Sequence, residues 1–481
     1  MTESDFKLSS DQQEALDKVI SWWQSDSRVD EPFILTGGAG TGKSTIVKEI
    51  LKNLKIDKQK ICMLAPTGTA VKNIQQKNPE IQAQTISSFI EKPFTYIKVI
   101  NPKTGDVVNT LTNLDDLKAS DYLTDTDNLV FSPADFGFMR VLSTAVAKHG
   151  LYTEPAVGFK FKDQDNKDVT KLPALLIIDE LGMVSEDKLE HVRDTGVPII
   201  GLGDPYQLKP VASIQNFLIS DDTRTDFYHE LTITHRQDGD NPIVKVATSA
   251  RLGEDWLATA RTIDENNVVV ATGLRQKETQ LTKLLSRADM VLSPSNRNVQ
   301  RFNEDVHNFI HRDEKLAVGE KILFTSNTSE KVNGSPVLTN GMQGEVIEKL
   351  ETPQYLQDMA LSIIRVKTFG HELTVLVNMV HLSDTRTKYS ELSKTKSQKL
   401  QQILIDRTRL YASEDAFDDL DLDLDEIVYI SYGYAMTVHK SQGKEWGNVV
   451  FDTDIPQRMQ SSAQPLVYTA ITRAKENIIF V

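Results

Sequence analysis

The chain has 481 residues, 39% of them apolar and 25% charged. That composition belongs to a folded chain of roughly two or three domains and excludes disorder, collagen and coiled coil as descriptions of the whole. Lysines and arginines number 54 against 68 acids, a net charge of −14, which speaks against a passive nucleic-acid coat with a basic face. The acids are unevenly spread, with eight of them and no base between Ser413 and Glu426, so a basic groove elsewhere stays open. The single cysteine, Cys62, excludes an internal disulfide and a Cys-rich zinc site. It lies in the apolar run Ile61 to Ala65 and reads as a buried, reduced thiol. Met1 to Asp5 lacks the basic and apolar regions of a signal peptide. No apolar run approaches the roughly 18 residues of a membrane helix. The expectation is a cytoplasmic protein with no membrane partner.

In chain order, Leu16, Val19, Ile20 and Trp23 recur at helical spacing within Ser9 to Trp23, where Trp22 and Trp23 read as core and staple. Phe33-Ile34-Leu35 reads as a strand, followed by a glycine loop and a helix through Ile46, Val47, Ile50, Leu51 and Leu54. Ile61 to Ala65, Leu175 to Ile178 and Val197 to Gly201 are further continuous apolar strands. Strands buried on both faces and separated by helices predict a parallel sheet in an α/β domain. Pro93 to Thr170 breaks this rhythm. Tyr96 to Ile100, the turn cluster Asn101 to Asp106, and Val107-Val108 predict a β-hairpin. Met290 to Leu292, Asn448 to Phe451 and Ile478 to Val481 predict a second α/β domain closed by the C-terminal strand. Within it, Lys321 to Thr325, Gly344 to Ile347, Leu361 to Val366 and Leu373 to Val377, with turns at Asn333-Gly334 and Asn340-Gly341, predict an inserted small barrel. Tyr389 to Tyr411 reads as a charged helix.

Gly37-Gly38-Ala39-Gly40-Thr41-Gly42-Lys43-Ser44 fits G-x-x-x-x-G-K-[ST] between a strand and a helix. Its backbone N–H groups suit a phosphate, with Lys43 reaching the β- and γ-phosphates and Ser44 a Mg²⁺ ion. Asp179 and Glu180 end an apolar strand. The first suits Mg²⁺ and the second an attacking water. His307 and His311 have metal-ligand spacing without the glutamate of a zincin, and read as a solvated helix face.

Gly201 to Val211, containing Gly203-Asp204-Pro205-Tyr206-Gln207-Leu208, resembles motif III of superfamily 1B DNA helicases. Ala65 to Ala70 resembles motif Ia, Tyr434 to Gly443 motif V, and Val467 to Ala474 motif VI. Leu231-Thr232 with Arg236 is similar to motif IV, Leu8-Ser9 with Gln12 to the adenine-reading Q motif, and Asn296, Val299 and Asn303 to the N-x-x-V-x-x-x-N segment. The compact phage and RecD-like members, like this chain, end soon after motif VI.

The resemblance implies ATP and Mg²⁺ as cofactors. Gln12 and Gly37, Gly38, Ala39, Gly40, Thr41, Gly42, Lys43, Ser44 and Thr45 would bind the nucleotide, with Ser44 and Asp179 on the metal. Lys43, Asp179, Glu180, Gln207 as γ-phosphate sensor, and Arg236 and Arg473 as arginine fingers would carry catalysis. Pro66, Thr67, Thr85, Asn296, Thr437 and His439 would contact single-stranded DNA through its phosphates. It further implies a monomer moving 5′→3′ on single-stranded and forked DNA, with a single-stranded-DNA-binding protein or a replisome component as candidate partners. An ATP-switched loader that does not separate strands is the alternative.

Two features depart from the pattern. The family's T-I-H segment reads Thr85-Ile86-Ser87, and 94 positions separate Thr85 from Asp179. The excess suggests an enlarged inserted domain carrying a strand-separating pin. Phe94 and Tyr96 are candidates for its aromatic tip, and the Phe131 to Phe138 stretch is the next. The expected fold is two RecA-like P-loop domains, 1A (1–90 and 171–228) and 2A (229–314 and 428–481). The first carries the pin insertion 1B (91–170), the second the insertion 2B (315–427), an SH3-like barrel with a helical and acidic extension.

Overall fold

The computed structural model describes residues 8–120, 122–123, 130–133, 136–162, 172–209, 226–233, 241–263, 267–312, 314–327, 331–332, 335–352, 357, 361–379, 382 and 427–481. Arg236, Pro210, Val211, the turn at Asn333-Gly334, the helix expected over Tyr389 to Tyr411 and the acidic run from Ser413 lie outside the described residues. Residues 90–162 form a smaller unit and the other described residues a larger one.

The larger unit begins with α1 (Ser10–Gln24), started by a capping box in which Ser9 Oγ accepts from Gln12 N and Gln12 Oε1 accepts from Ser9 N, both at 3.2 Å. Its buried face, Ala15, Leu16, Val19 and Trp22, lies against the first sheet. Trp22 is fully buried, 6.0 Å from the Phe33 ring, and its indole N–H donates to Glu31 O (2.7 Å).

The first sheet takes β1 (Phe33–Gly37), β2 (Ile61–Ala65) and β3 (Gln82–Thr85). After the strands β4 (Glu91–Ile100), β5 (Val107–Leu111) and β6 (Tyr152–Phe161) of the smaller unit, it takes β7 (Leu175–Ile178), β8 (Ile199–Gly203) and β9 (Tyr228–Leu231). The order is β3-β2-β7-β8-β1-β9 and every pairing is parallel. The inner strands are the continuous apolar runs of the sequence. The outer two were hidden in it because an edge strand is covered less, so polar Gln82-Ala83-Gln84-Thr85 can serve. The helices are α2 (Lys43–Leu54), α3 (Gly68–Lys77), the short α4 (Ile86–Ile90) and, after α5 and α6 of the smaller unit, α7 (Glu186–Arg193). Cys62 is buried and free, and burial pushes its thiol up.

The second sheet joins β10 (Val268–Val270), β11 (Met290–Ser293), β19 (Ala435–Thr437), β20 (Trp446–Phe451) and β21 (Ala474–Phe480) in the order β10-β21-β20-β11-β19, again all parallel. The C-terminal strand lies inside this sheet rather than closing an edge. Around it pack α8 (Pro242–Leu252), α9 (Trp256–Thr262), α10 (Glu278–Leu285), α11 (Asn296–His311) and α12 (Ala463–Ile471).

A closed barrel of β12 (Lys321–Phe324), β15 (Gln343–Lys349), β16 (Leu361–Thr368), β17 (His371–Asn378) and β18 (Ile427–Tyr432) interrupts that fold, with β13 (Lys331–Val332) and β14 (Ser335–Pro336) as a separate ribbon. Its fifth strand runs past the boundary expected at residue 427. Phe324, Val346, Ile364 and Ile430 share one core with Phe302 and Val306 of α11.

At that junction the expected solvated face of His307 and His311 is instead buried. His307 Nδ1 lies 2.7 Å and His311 Nε2 3.8 Å from Glu320 Oε2, Tyr434 Oη donates to Glu320 Oε1 (2.6 Å), and the His307 ring stacks on Tyr432 at 4.1 Å. Burial pushes Glu320 from 4.5 up to about 7, against the Tyr434 hydrogen bond, and pushes His307 below 6.5. Folded, the pair holds its proton on Glu320; unfolded, between 4.5 and 6.5 it holds one on the histidine. The raised carboxyl and the lowered imidazole therefore act in opposite senses on stability as the pH falls. Glu320→Gln removes the raised carboxyl and leaves the lowered His307, with His311 beside it, so the destabilising sense is no longer opposed. Its stability should fall below pH 6.5, by up to about 1.4 kcal/mol per pH unit relative to the parent. Melting both proteins from about pH 8 to 5 checks this, and parallel curves would refute it.

In the smaller unit β4 is the central strand, antiparallel to β5 and, along its whole length, to β6. Ile97, Val99 and Leu111 face α5 (Leu114–Ala119) and α6 (Phe136–Ala147) through Leu117, Phe138, Leu142 and Val146. The expected hairpin is present, with Asn101 N donating to Asp106 O (3.0 Å) across its turn. The expected tip is corrected. Phe94 and Tyr96 lie in mid-strand, their rings 5.7 Å apart, with Lys160 over the one and Lys98 over the other, each at 5.8 Å. Alternation along β4 turns them away from the core that holds Ile97 and Val99. Phe131 and Phe138 pack edge to face at 5.6 Å and belong to that core.

Candidate nucleotide site and strand ends

The phosphate-binding loop leaves β1 and enters α2. Gly42 is its N-cap at φ 85°, left-handed backbone that favours glycine. A Cβ on Gly37 would come within 2.5 Å of Thr41 Oγ1, so the loop closes only around a glycine there. Lys43 Nζ donates to Gly37 O (2.6 Å) and Gly38 O (3.0 Å) and is thereby folded over the loop. Gln12 is buried beneath it. Its Nε2 donates to Thr41 O at 3.4 Å while its Oε1 completes the α1 cap, so its amide supports the loop directly.

Asp179 and Glu180 follow β7, next in order to β8 and then β1. Glu180 N donates to Asp179 Oδ1 (3.0 Å), and Glu180 stands at φ 54°, a strained left-handed conformation for glutamate. Burial raises Asp179, opposed by that hydrogen bond and the charge of Lys43. Burial, then the Asp179 charge, push Glu180 up to about 7, while Arg473 and Lys43 pull it down. Four of the predicted residues thus share one electrostatic environment. A half-buried carboxylate beside a serine-bearing loop is a donor set that fits a hard divalent cation.

The loop after β8 is joined to the second sheet. Leu208 N donates to Thr469 Oγ1 (3.0 Å), Gln442 Nε2 to Leu208 O (2.9 Å), and Tyr468 Oη to Asp204 Oδ2 (2.8 Å). Tyr468 Oη also accepts from Ala39 N at 3.1 Å. One buried hydroxyl therefore connects the phosphate loop, motif III and α12. Gln207 Nε2 donates to Asp204 Oδ2 (3.3 Å), and its buried Oε1 has no hydrogen-bond partner among the described residues. Arg473 is 4% exposed, and its Nε, Nη1 and Nη2 donate to Thr469 O, Lys444 O and Thr472 Oγ1. A guanidinium this buried and held by neutral acceptors is not the surface ion pair that most arginines form. Asp204 and Tyr468 stand inside the quoted motifs, but nothing in their spacing marks them as partners.

The other predicted residues lie at the carboxyl ends of strands, where open α/β sheets bind ligands. Pro66 and Thr67 follow β2. Thr67 caps α3, its Oγ1 accepting from Ala70 N (3.2 Å). Thr85 ends β3 beside Ala65, and its Oγ1 accepts from Ser88 N (3.1 Å). Ser87, where the family has histidine, accepts from Lys188 Nζ at 2.5 Å. In the second sheet Thr437 ends β19 in register with Ser293. Asn296 opens α11, and His439 follows, pushed down by burial. A glycine contact and two hydrogen bonds tie these ends to the barrel and to each other. A Cβ on Gly68 would lie 2.4 Å from Thr339 Cγ2, Lys444 Nζ donates to Gly341 O (2.6 Å), and Asn73 Nδ2 donates to Gly443 O (2.9 Å). Phe94 and Tyr96 belong to the smaller unit.

Residues 7–273 match the model of the AAA domain, and residues 432–481 that of the UvrD-like helicase C-terminal domain. The chain is 24% identical over 486 residues to the ATP-dependent DNA helicase dda of Enterobacteria phage T4, covering 93% of each. It is 20% identical over 516 residues to an uncharacterised protein of Acanthamoeba polyphaga mimivirus, covering 93% of this chain and 95% of that protein. Its fold is similar to that of the Pif1 helicase from Candida albicans, with a TM-score of 0.50 and 18% identity, covering 99% of this chain and 94% of that one. Among the described residues no helix is long and apolar enough to cross a membrane.

Proposed function

We propose a mechanism from one premise: the chain belongs to the AAA domain family and, as a superfamily 1B helicase, is an ATP-dependent DNA helicase. ATP lies along Gly37 to Thr45, with Lys43 turned from its loop carbonyls onto the β- and γ-phosphates. Gln12 holds the loop, and through it the nucleotide. Ser44 and Asp179 would hold Mg²⁺, which supplies neutralising charge to the phosphates. Glu180 orients and deprotonates the attacking water, Gln207 senses the γ-phosphate, and Arg473 with Arg236 neutralises charge developing in the transition state.

The observation that carries this reading is the Tyr468 hydroxyl, 3.1 Å from Ala39 N and 2.8 Å from Asp204 Oδ2. Through it a helix of the second sheet meets both the phosphate loop and motif III, so a change at the phosphates is felt across the cleft. Single-stranded DNA would cross the strand ends at Pro66, Thr67, Thr85, Asn296, Thr437 and His439, held by phosphates and unread in sequence. Alternate grip by the two sheets then gives steps in the 5′→3′ sense. The domains are assigned as 1A (1–90, 171–228), 1B (91–170), 2A (229–314, 428–481) and 2B (315–427), with β18 completing the 2B barrel.

A forked-duplex assay with ATP and Mg²⁺ tests this. Strand separation from a 5′-tailed fork is expected, along with ATPase that rises strongly with single-stranded DNA. DNA-stimulated turnover without separation would favour the loader. Lys43→Ala should abolish turnover and keep DNA binding, and normal hydrolysis by that variant would refute the phosphate-loop assignment.

A further inference from the structure

We propose that Arg251, which no motif of the sequence singles out, contacts the phosphates of the bound nucleotide and acts in hydrolysis. This rests on the nucleotide lying along the Gly37 to Ser44 loop. A cleft open to solvent lies between that loop and the second sheet, with Gly38, Ala39 and Thr41 on one side and Asn241, Arg251 and Tyr468 on the other. Arg251 sits in the last turn of α8, a helix tied to α12 by Gln464 Nε2 donating to Arg251 O at 2.7 Å. Its guanidinium reaches the loop, since Nη1 lies 3.8 Å from where a Cβ on Gly38 would stand.

Among the described residues, what holds that guanidinium leaves its donors unspent. It stacks over the Tyr206 ring at 4.9 Å, and no carboxylate among the described residues pairs with it. Tyr206 is itself fixed, its Oη donating to Glu230 Oε1 at 3.0 Å and its ring edge to face with Tyr468. A cation–π contact orients the planar fork without using its N–H groups, and a planar fork matches phosphate oxygens in pairs. Arg473 presents the opposite case, all three of its nitrogens being bonded to carbonyl or hydroxyl oxygens of its own surroundings. Tyr206 lies one residue before Gln207, so the aromatic shelf under Arg251 belongs to the segment assigned to sense the γ-phosphate. A purely structural role, a cation complementing the end of α8, predicts a loss of melting temperature and no effect on the chemical step.

The test compares Arg251→Ala, Arg251→Lys and Lys43→Ala with the parent for DNA-stimulated kcat, ADP affinity, single-stranded-DNA affinity and melting temperature. Arg251→Ala should lower kcat about 100-fold, and Arg251→Lys, which keeps the charge at the helix end but loses the fork, about tenfold. ADP and DNA affinities should stay within about threefold. A kcat within threefold of the parent for both Arg251 variants would overturn the proposal, as would a loss of ADP affinity with kcat unchanged. If Arg251→Ala failed to fold, Arg251→Lys would decide alone. Failure of the nucleotide-site reading itself is separable, because it would appear as normal turnover by Lys43→Ala.

Discussion

Glu180→Gln is expected to bind ATP and single-stranded DNA as the parent does and to hydrolyse ATP about 10²–10⁴-fold more slowly, the usual contribution of a general base. Glutamine keeps the shape that φ 54° and the hydrogen bond to Asp179 Oδ1 demand. It removes only the carboxylate. Burial and the neighbouring charges of Asp179 and Asp204 disfavour a negative charge at this position, so the variant should melt no lower than the parent. Strain and a disfavoured charge at one residue are costs of the kind that functional sites carry. Single-turnover hydrolysis beside nucleotide binding and a thermal melt make the check. A parent-like rate would move the water-activating role elsewhere, and a loss of nucleotide affinity would make Glu180 a ground-state ligand.

Replacing the turn between Asn101 and Asp106 by a two-residue connection is expected to lower forked-duplex unwinding at least tenfold while leaving DNA-stimulated ATPase within about twofold. A wedge acts only where strands part, and neither parallel sheet contains these residues. The cut must stop short of Tyr96. Ile97, Val99 and Leu111 are fully buried in the core of the smaller unit, and β4 carries strands on both sides, so deleting Tyr96 to Val108 would remove the unit's centre. The turn itself is solvated and leads into Val107 and Val108, 51% and 55% exposed, apolar surface suited to meet a base pair. Unwinding at the parent rate would place the wedge elsewhere, with the Phe94 and Tyr96 face as the next element to alter. ATPase lost together with unwinding would make the hairpin part of the DNA track.

The phosphate loop, the acidic strand end and the apolar strands of both sheets were legible because each is local. A glycine spacing, a strand followed by a carboxylate pair and a continuous apolar run all show their physical cause within about ten residues. The inserted barrel was legible from its turns and short apolar runs, apart from its last strand, which returns after a long excursion of the chain. The polar edge strands β3 and β9 were not, because burial by one neighbour leaves little pattern.

Tertiary structure decided the rest. Phe94 and Tyr96 lie in mid-strand because β4 gains a second partner from β6, some 50 residues further on. His307 is buried because α11 packs on the barrel and brings Glu320 to it. Arg251 and Tyr468, 217 positions apart in the chain, face the same loop because α8 and α12 pack side by side on the second sheet and meet the loop that leaves the first. Motif spacing records which residues each sheet contributes. Which hydroxyl meets which amide across the cleft depends on how the two sheets pack, and no local pattern encodes that.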